Sequence, residues 1–172
     1  MLFKELEIAG VYLISPEKHE DARGFFARVY CEREFEEHGL HTSFVQENIS
    51  YNRCRGTLRG MHYQKIPYGE VKIVSCLRGA IYDVVLDIRE KSPTYGKWVA
   101  ERLTGKNNAM LYIPEGLAHG FQTLDDDTLV HYQMGEFYAP EAAAGIRFDD
   151  KRFCIEWPIE EKIMSERDLS YR

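Results

Sequence analysis

Val71-Lys72-Ile73-Val74-Ser75-Cys76-Leu77, then Arg78-Gly79, then Ala80-Ile81-Tyr82-Asp83-Val84-Val85-Leu86-Asp87-Ile88: two apolar-rich runs meet at a glycine. The first alternates polar and apolar residues and the second is rich in β-branched ones, the patterns of half-buried and buried strands. Arg78-Gly79 reads as the tight turn between them. Working outward, strand-like runs recur at Trp98 to Leu103, Ala109 to Ile113, Gly120 to Leu124 and Thr128 to Met134, each bounded by Gly, Pro, Asn or Asp. Short strands at such regular spacing, with 11 Tyr and 9 Phe to fill an interior, predict an all-β fold, a jelly-roll double-sheet barrel with a few short helices. Cys31 to Gly39 is the one clear helix, made of helix formers with Gly39 as its stop. Beyond Trp157-Pro158 the alternation is lost, and this charged segment is expected to wrap the surface as a loop or short helix.

The chain has 172 residues, enough for one sizeable core. No repeat or Pro/Gly/Ser linker offers a cut point, so residues 1–172 are read as a single domain. No apolar run approaches the roughly 20 residues that span a bilayer. Met1-Leu2-Phe3-Lys4-Glu5-Leu6-Glu7 carries charges where a signal peptide needs apolar residues, so the expected location is cytoplasmic, away from membranes. Cys31, Cys54, Cys76 and Cys154 are too widely spaced for zinc or redox motifs and read as reduced structural thiols. A formal net charge of −6 disfavours nucleic acid, which needs clustered cations, yet a few local cations suffice to hold one small anionic ligand.

Two segments invite chemistry. In Gly56-Thr57-Leu58-Arg59-Gly60-Met61-His62-Tyr63-Gln64, strand parity places Leu58, Gly60, His62 and Gln64 on one face and Arg59, Met61 and Tyr63 on the other. Taken alone, His62 reads first as a hydrogen-bonded structural histidine, and its neighbourhood shifts that balance towards chemistry. Ile113-Pro114-Glu115-Gly116-Leu117-Ala118-His119-Gly120-Phe121 carries the Pro-x-Gly-x-x-His pattern with which cupin-type barrels place a histidine in the mouth. His62, His119 and at best Glu70 are a thin ligand set beside the three or more protein ligands of catalytic metal sites, so no metal is expected.

The runs Asp21 to Phe26, Gln46 to Ser50, Gly56 to Gln64, Ser92 to Trp98, Ile113 to Phe121 and Ile155 to Pro158 together resemble the dTDP-4-dehydrorhamnose 3,5-epimerase family, in that family's order, from about residue 5 to Asp168. The resemblance implies a cupin-like jelly roll and a nucleotide-diphosphate-linked 4-keto-6-deoxyhexose as substrate. It implies inversion at C3, C5 or both, without a cofactor, because the C4 ketone already acidifies both neighbouring hydrogens. Such inversion needs a base on one face, support for an enolate oxygen and a proton donor on the other face.

By position in the family pattern, His62 is the base, Asp168 the carboxylate that orients it, Lys72 the cation at the C4 oxygen and Tyr132 the acid. Arg23 and Arg59 fall on diphosphate contacts, Gln46 and Asn48 on polar substrate contacts, and Tyr138 on the aromatic that stacks on the base. His119 and Arg167 also fall on binding positions. A homodimer is implied, with an N-terminal strand added to the partner's sheet.

Two positions depart from the pattern: Arg28 and Ala143 stand where the family usually has glutamates on the substrate side. They leave the nucleotide open, with thymidine as the default and cytidine or guanosine diphosphate sugars as alternatives. A ketoisomerase or a non-catalytic sugar-nucleotide binder on the same scaffold are the other readings.

Overall fold

In the computed structural model, which describes residues 1–171, the opening segment becomes β7 (Lys72–Arg78) and β8 (Ala80–Asp87), joined at Gly79. Their partners are β9 (Trp98–Thr104), β10 (Met110–Ile113), β11 (Leu117–Thr123) and β12 (Thr128–Met134). Before them come β1 (Leu2–Glu5), β2 (Tyr12–Ser15), β3 (Lys18–Asp21), β4 (Gly24–Ala27), α1 (Glu32–Glu37), β5 (Gln46–Asn52) and β6 (Leu58–Gln64). After them come β13 (Ala143–Gly145) and α2 (Glu166–Ser170). One sheet runs β1-β2-β10-β7-β12-β5 and the other β13-β6-β11-β8-β9, while β3 and β4 form a separate ribbon. All these strand pairings are antiparallel. The two packed sheets make the jelly roll that the strand spacing predicts.

Alternation along the strands sorts three apolar clusters. Val74, Cys76, Ile81, Val85, Leu111, Leu117, Phe121 and Val130 fill the space between the sheets. Residues of the opposite parity, Ile73 and Met110, pack outside the six-stranded sheet beneath Phe35 of α1. Val84, Leu86 and Ala118 pack outside the other sheet beneath Phe153, Ile155 and Trp157. Burial pushes the Cys76 thiol up to about 11, so it stays protonated and inert.

Five strands before residue 58 escape the sequence reading because they are short or polar: β3 reads KHED and β5 reads QENISYN. β1 pairs along its length with β2 of its own chain, from Leu2 opposite Ser15 to Glu5 opposite Tyr12, because so short a connection costs little closure entropy.

The parity expected for residues 58–64 also fails, for a definite reason. Phe121 of β11 stands opposite Arg59 and His119 opposite His62, so two steps on β11 match three on β6. The extra residue is a bulge. It turns Arg59 and His62 to the same side, into the barrel mouth, and sends Met61 to the outer cluster. The bulge brings Gly60 (φ +136°) against Gly120, where a Cβ on Gly60 would lie 2.5 Å from the Gly120 Cα. Gly60→Ala is therefore expected to destabilise the fold by about 2–3 kcal/mol, measured by denaturant unfolding.

Candidate active site

A cavity of about 570 Å³ opens at one end of the barrel, lined from both sheets and from α2. Because β6 and β12 belong to different sheets, His62 and Tyr132 enter it from opposite walls. His62 Nε2 lies 2.6 Å from Asp168 Oδ1, which leaves Nδ1 as the ring nitrogen available for proton transfer. The imidazole is 40% exposed while the carboxylate is 6% exposed, so the ring faces the cavity and the charge behind it is dry. Asp168 sits in the first turn of α2, where its N–H donates to the Ser165 hydroxyl at 3.1 Å, an N-cap that fixes the helix start. Burial alone would raise the Asp168 pKa. The hydrogen bond and charge of His62, with help from the Gly60 N–H and Ser165, outweigh it and hold the carboxyl below its ordinary value.

Lys72 enters from the first position of β7, and its ammonium lies 2.7 Å from Glu70 Oε1, with both side chains less than a tenth exposed. It also donates to the His62 carbonyl at 3.5 Å. Glu70 reads from sequence only as a weak third metal ligand, yet it lies just before β7 and its carboxylate is taken by the ammonium at that strand's first position. Tyr132 lies beside Val130 in the strand alternation and packs edge-on to His119, with ring centroids 6.3 Å apart. Burial, aided by the Asp83 charge and opposed by the Arg59 guanidinium, pushes its phenol far above the ordinary value, so it keeps its proton.

His119 Nε2 is 2.8 Å from Asp83 Oδ1. Asp83 is fully buried, and its other oxygen has no hydrogen-bond partner among the described residues. The residue went unnoticed in the sequence because an aspartate inside a β-branched run carries no local signal. Its inward parity, shared with Ile81 and Val85, could have marked it. Each cavity histidine is thus bonded to a carboxylate, and Glu70 is taken by Lys72. Among the described residues no three His, Cys, Asp or Glu side chains gather to hold a metal.

The rest of the lining is a binding surface. Arg59 Nε donates to Asn52 Oδ1 at 2.8 Å. Asn48 stands opposite Tyr132 and takes a 3.3 Å hydrogen bond from Gln46, whose oxygen accepts the Tyr138 N–H at 3.3 Å. Gln64 holds the same loop by accepting from the Ala139 N–H at 2.6 Å and donating to the Phe137 carbonyl. Arg167 reaches the Tyr138 hydroxyl at 3.4 Å, and Ala143 and Ala144 form an uncharged wall.

The dTDP-4-dehydrorhamnose 3,5-epimerase family model matches residues 5–172. A dTDP-4-dehydrorhamnose 3,5-epimerase of Sinorhizobium fredii is 43% identical over 99% of this chain and 88% of its own length. The enzyme of that name from Methanothermobacter thermautotrophicus is 42% identical over 99% and 92%. The crystal structure of the Bacillus anthracis dTDP-4-dehydrorhamnose 3,5-epimerase, with TDP and PPi bound, superposes with a TM-score of 0.97 at 37% identity, covering 99% of this chain and 98% of that one. The chain belongs to the dTDP-4-dehydrorhamnose 3,5-epimerase family. It is an isomerase-class enzyme of the epimerase type.

Of the residues picked by resemblance to the dTDP-4-dehydrorhamnose 3,5-epimerases, ten line this one cavity: His62, Lys72, Tyr132, Asp168, Gln46, Asn48, Arg59, His119, Tyr138 and Arg167. Two do not. Arg23 is at the tip of the β3–β4 ribbon, 90% exposed and paired with Asp21. Arg28 pairs with Glu34 at 2.7 Å beside a separate cavity of about 360 Å³. Both lie outside because the ribbon pairs only with itself and belongs to neither packed sheet.

The depressed Asp168 pKa fixes a sign. A carboxyl held below its unfolded value stabilises the fold above about pH 4, and that contribution is lost as pH falls through the folded value. The thermal stability of wild type over Asp168→Asn, followed by calorimetry, is therefore expected to be greatest at neutral pH and to shrink on acidification below pH 4.

Proposed function

We propose that this chain inverts C3 and C5 of a dTDP-linked 4-keto-6-deoxyhexose through enolate intermediates, a step of deoxysugar biosynthesis. The observation that carries the reading is the opposition of the His62–Asp168 pair and Tyr132 across one cavity, with the Lys72 ammonium between the elements that hold them. His62 removes the proton beside the ketone. Its partner Asp168 holds the ring by Nε2 and favours the imidazolium that forms. Lys72 stabilises the enolate oxygen, where a fixed and largely buried cation acts more strongly than one in solution. Tyr132, which holds its proton, returns one to the carbon from the opposite face. No redox partner is needed, because the carbon acid is activated by the ketone in the substrate itself.

On the nucleotide side, Arg59 takes a diphosphate oxygen, Gln46, Asn48, His119 and Arg167 make polar contacts, and Tyr138, half exposed at the rim, stacks on the base. The TDP in the Bacillus anthracis relative supports thymidine as that base. The four free cysteines and the charged N-terminal segment support a cytoplasmic enzyme.

The working unit is a homodimer. Phe25 and Phe26 expose 51% and 76% of their surface on the ribbon that carries Arg23, and such a ribbon needs a partner to cover it. Arg23 and Arg28 then meet a diphosphate only in the neighbouring copy's cavity.

Incubation in D2O with 4-keto-6-deoxy sugar nucleotides, followed by NMR, is expected to place deuterium at C3 and C5 of the dTDP sugar. Absence of exchange with every nucleotide tried would sink the epimerase reading. His62→Ala is expected to lower exchange at both carbons by 10²–10⁴, roughly the worth of a positioned base, whereas Tyr132→Phe retains exchange and loses inversion. The dimer has its own test. Mixing inactive Arg23→Ala and His62→Ala subunits is expected to restore about a quarter of wild-type activity, since about half of random dimers are mixed and each has one intact site. No recovery would show that Arg23 does not act in its partner's site.

A further inference from the structure

Tyr171, the residue directly after α2, takes part in none of the roles above. Its ring meets the His62 imidazole edge-on, with centroids 5.9 Å apart and planes at 70°. It rests over Gly145, the residue of β13 that pairs with His62. A Cβ at position 145 would run into the Tyr171 ring, so the missing side chain there is what seats the tyrosine. The Tyr171 hydroxyl accepts a 2.9 Å hydrogen bond from Arg167 Nε, and Arg167 Nη1 donates to the Tyr138 hydroxyl at 3.4 Å. One planar guanidinium therefore joins the phenol lying against the dyad histidine to the phenol of the rim aromatic.

We propose that Tyr171 is a positioning residue that covers the solvent side of the His62–Asp168 pair and, through Arg167, sets the orientation of Tyr138 for the nucleotide base. The proposal rests on the function assigned above. An aromatic edge against an imidazole restricts ring rotation and keeps water from the dyad, which sharpens both geometry and electrostatics there. A guanidinium fork with donors on two hydroxyls fixes their separation as a single lysine would not. Helix α2 and the residue that follows it thus supply three services: Asp168 to the base, Arg167 to the rim, and Tyr171 as the cover between them.

Two substitutions separate the two parts. Tyr171→Phe keeps the ring on His62 and deletes the hydroxyl, so TDP affinity by calorimetry and KM for the sugar nucleotide are expected to weaken by roughly fivefold, the worth of one neutral hydrogen bond, with kcat kept. Tyr171→Ala also removes the ring and is expected to lower kcat by roughly tenfold in addition. Equal TDP affinity in Tyr171→Phe and wild type would overturn the link to Tyr138. Unchanged kcat in Tyr171→Ala would overturn the cover, as would a lowered unfolding temperature in both variants with KM and kcat of the folded protein unmoved. TDP binding requires no turnover, so the affinity comparison decides the link even if wild type epimerises no sugar offered, an outcome that counts against the assigned function instead.

Discussion

The close approach of Gly60 to Gly120 is the constraint on which the rest of this barrel mouth depends. Strands β6 and β11 are paired with one residue too many on β6, and the surplus is absorbed where neither backbone carries a side chain. Ordinary strand pairing would have placed Arg59 and His62, three residues apart, on opposite faces of the sheet. With the bulge, one strand delivers a guanidinium and an imidazole to the same cavity, and His62 is set directly opposite His119. A bulge re-aims side chains without interrupting the sheet, which keeps both groups on a rigid wall.

The chemistry of the cavity follows from placing charge in a largely apolar barrel. The interior between the sheets is filled by Val, Ile, Leu and Phe up to the level of Phe121 and Val130, and the polar groups begin where that packing ends. Three ion pairs stand there: His62 with Asp168, His119 with Asp83, Lys72 with Glu70. Pairing is what makes their burial tolerable, since an isolated charge at these depths would neutralise itself. Tyr132 is a titratable group near a buried carboxylate, with no side-chain hydrogen bond among the described residues. Both burial and that charge keep it protonated, the state a proton donor needs. His62 as a partner thus holds the Asp168 carboxyl below its ordinary value against burial, whereas burial without such a partner keeps Tyr132 protonated.

Much of the fold was legible in the chain because strands with one face in a core must alternate. The runs from Val71 to Met134 became β7 to β12 with boundaries moved by a few residues, and Cys31 to Gly39 became α1. The first five strands were not legible, since KHED and QENISYN carry little apolar alternation and are held by pairing, not by burial. Most candidate site residues were legible only collectively, through motifs in register. Asp168 looks like a surface charge in a polar tail until α2 folds it under His62, and Asp83 is hidden in a hydrophobic strand. Arg23 matches the family pattern and Arg28 departs from it, yet both stand outside the cavity of their own chain.

The sequence by itself determined the strand periodicity, the apolar set that fills the barrel, the family, and an inventory of one imidazole base, one phenol, one ammonium and one carboxylate. These are properties of residue type and spacing along the chain, which local alternation and motif order express directly. Tertiary structure alone decided which of those groups meet. Asp168 reaches His62 across 106 residues, Tyr132 confronts it from another sheet, and the bulge at Gly60 overrides the parity that spacing would dictate. The reason is physical: local spacing sets which way a side chain points from its own strand, but distance between strands is set by the pairing and packing of segments far apart in sequence.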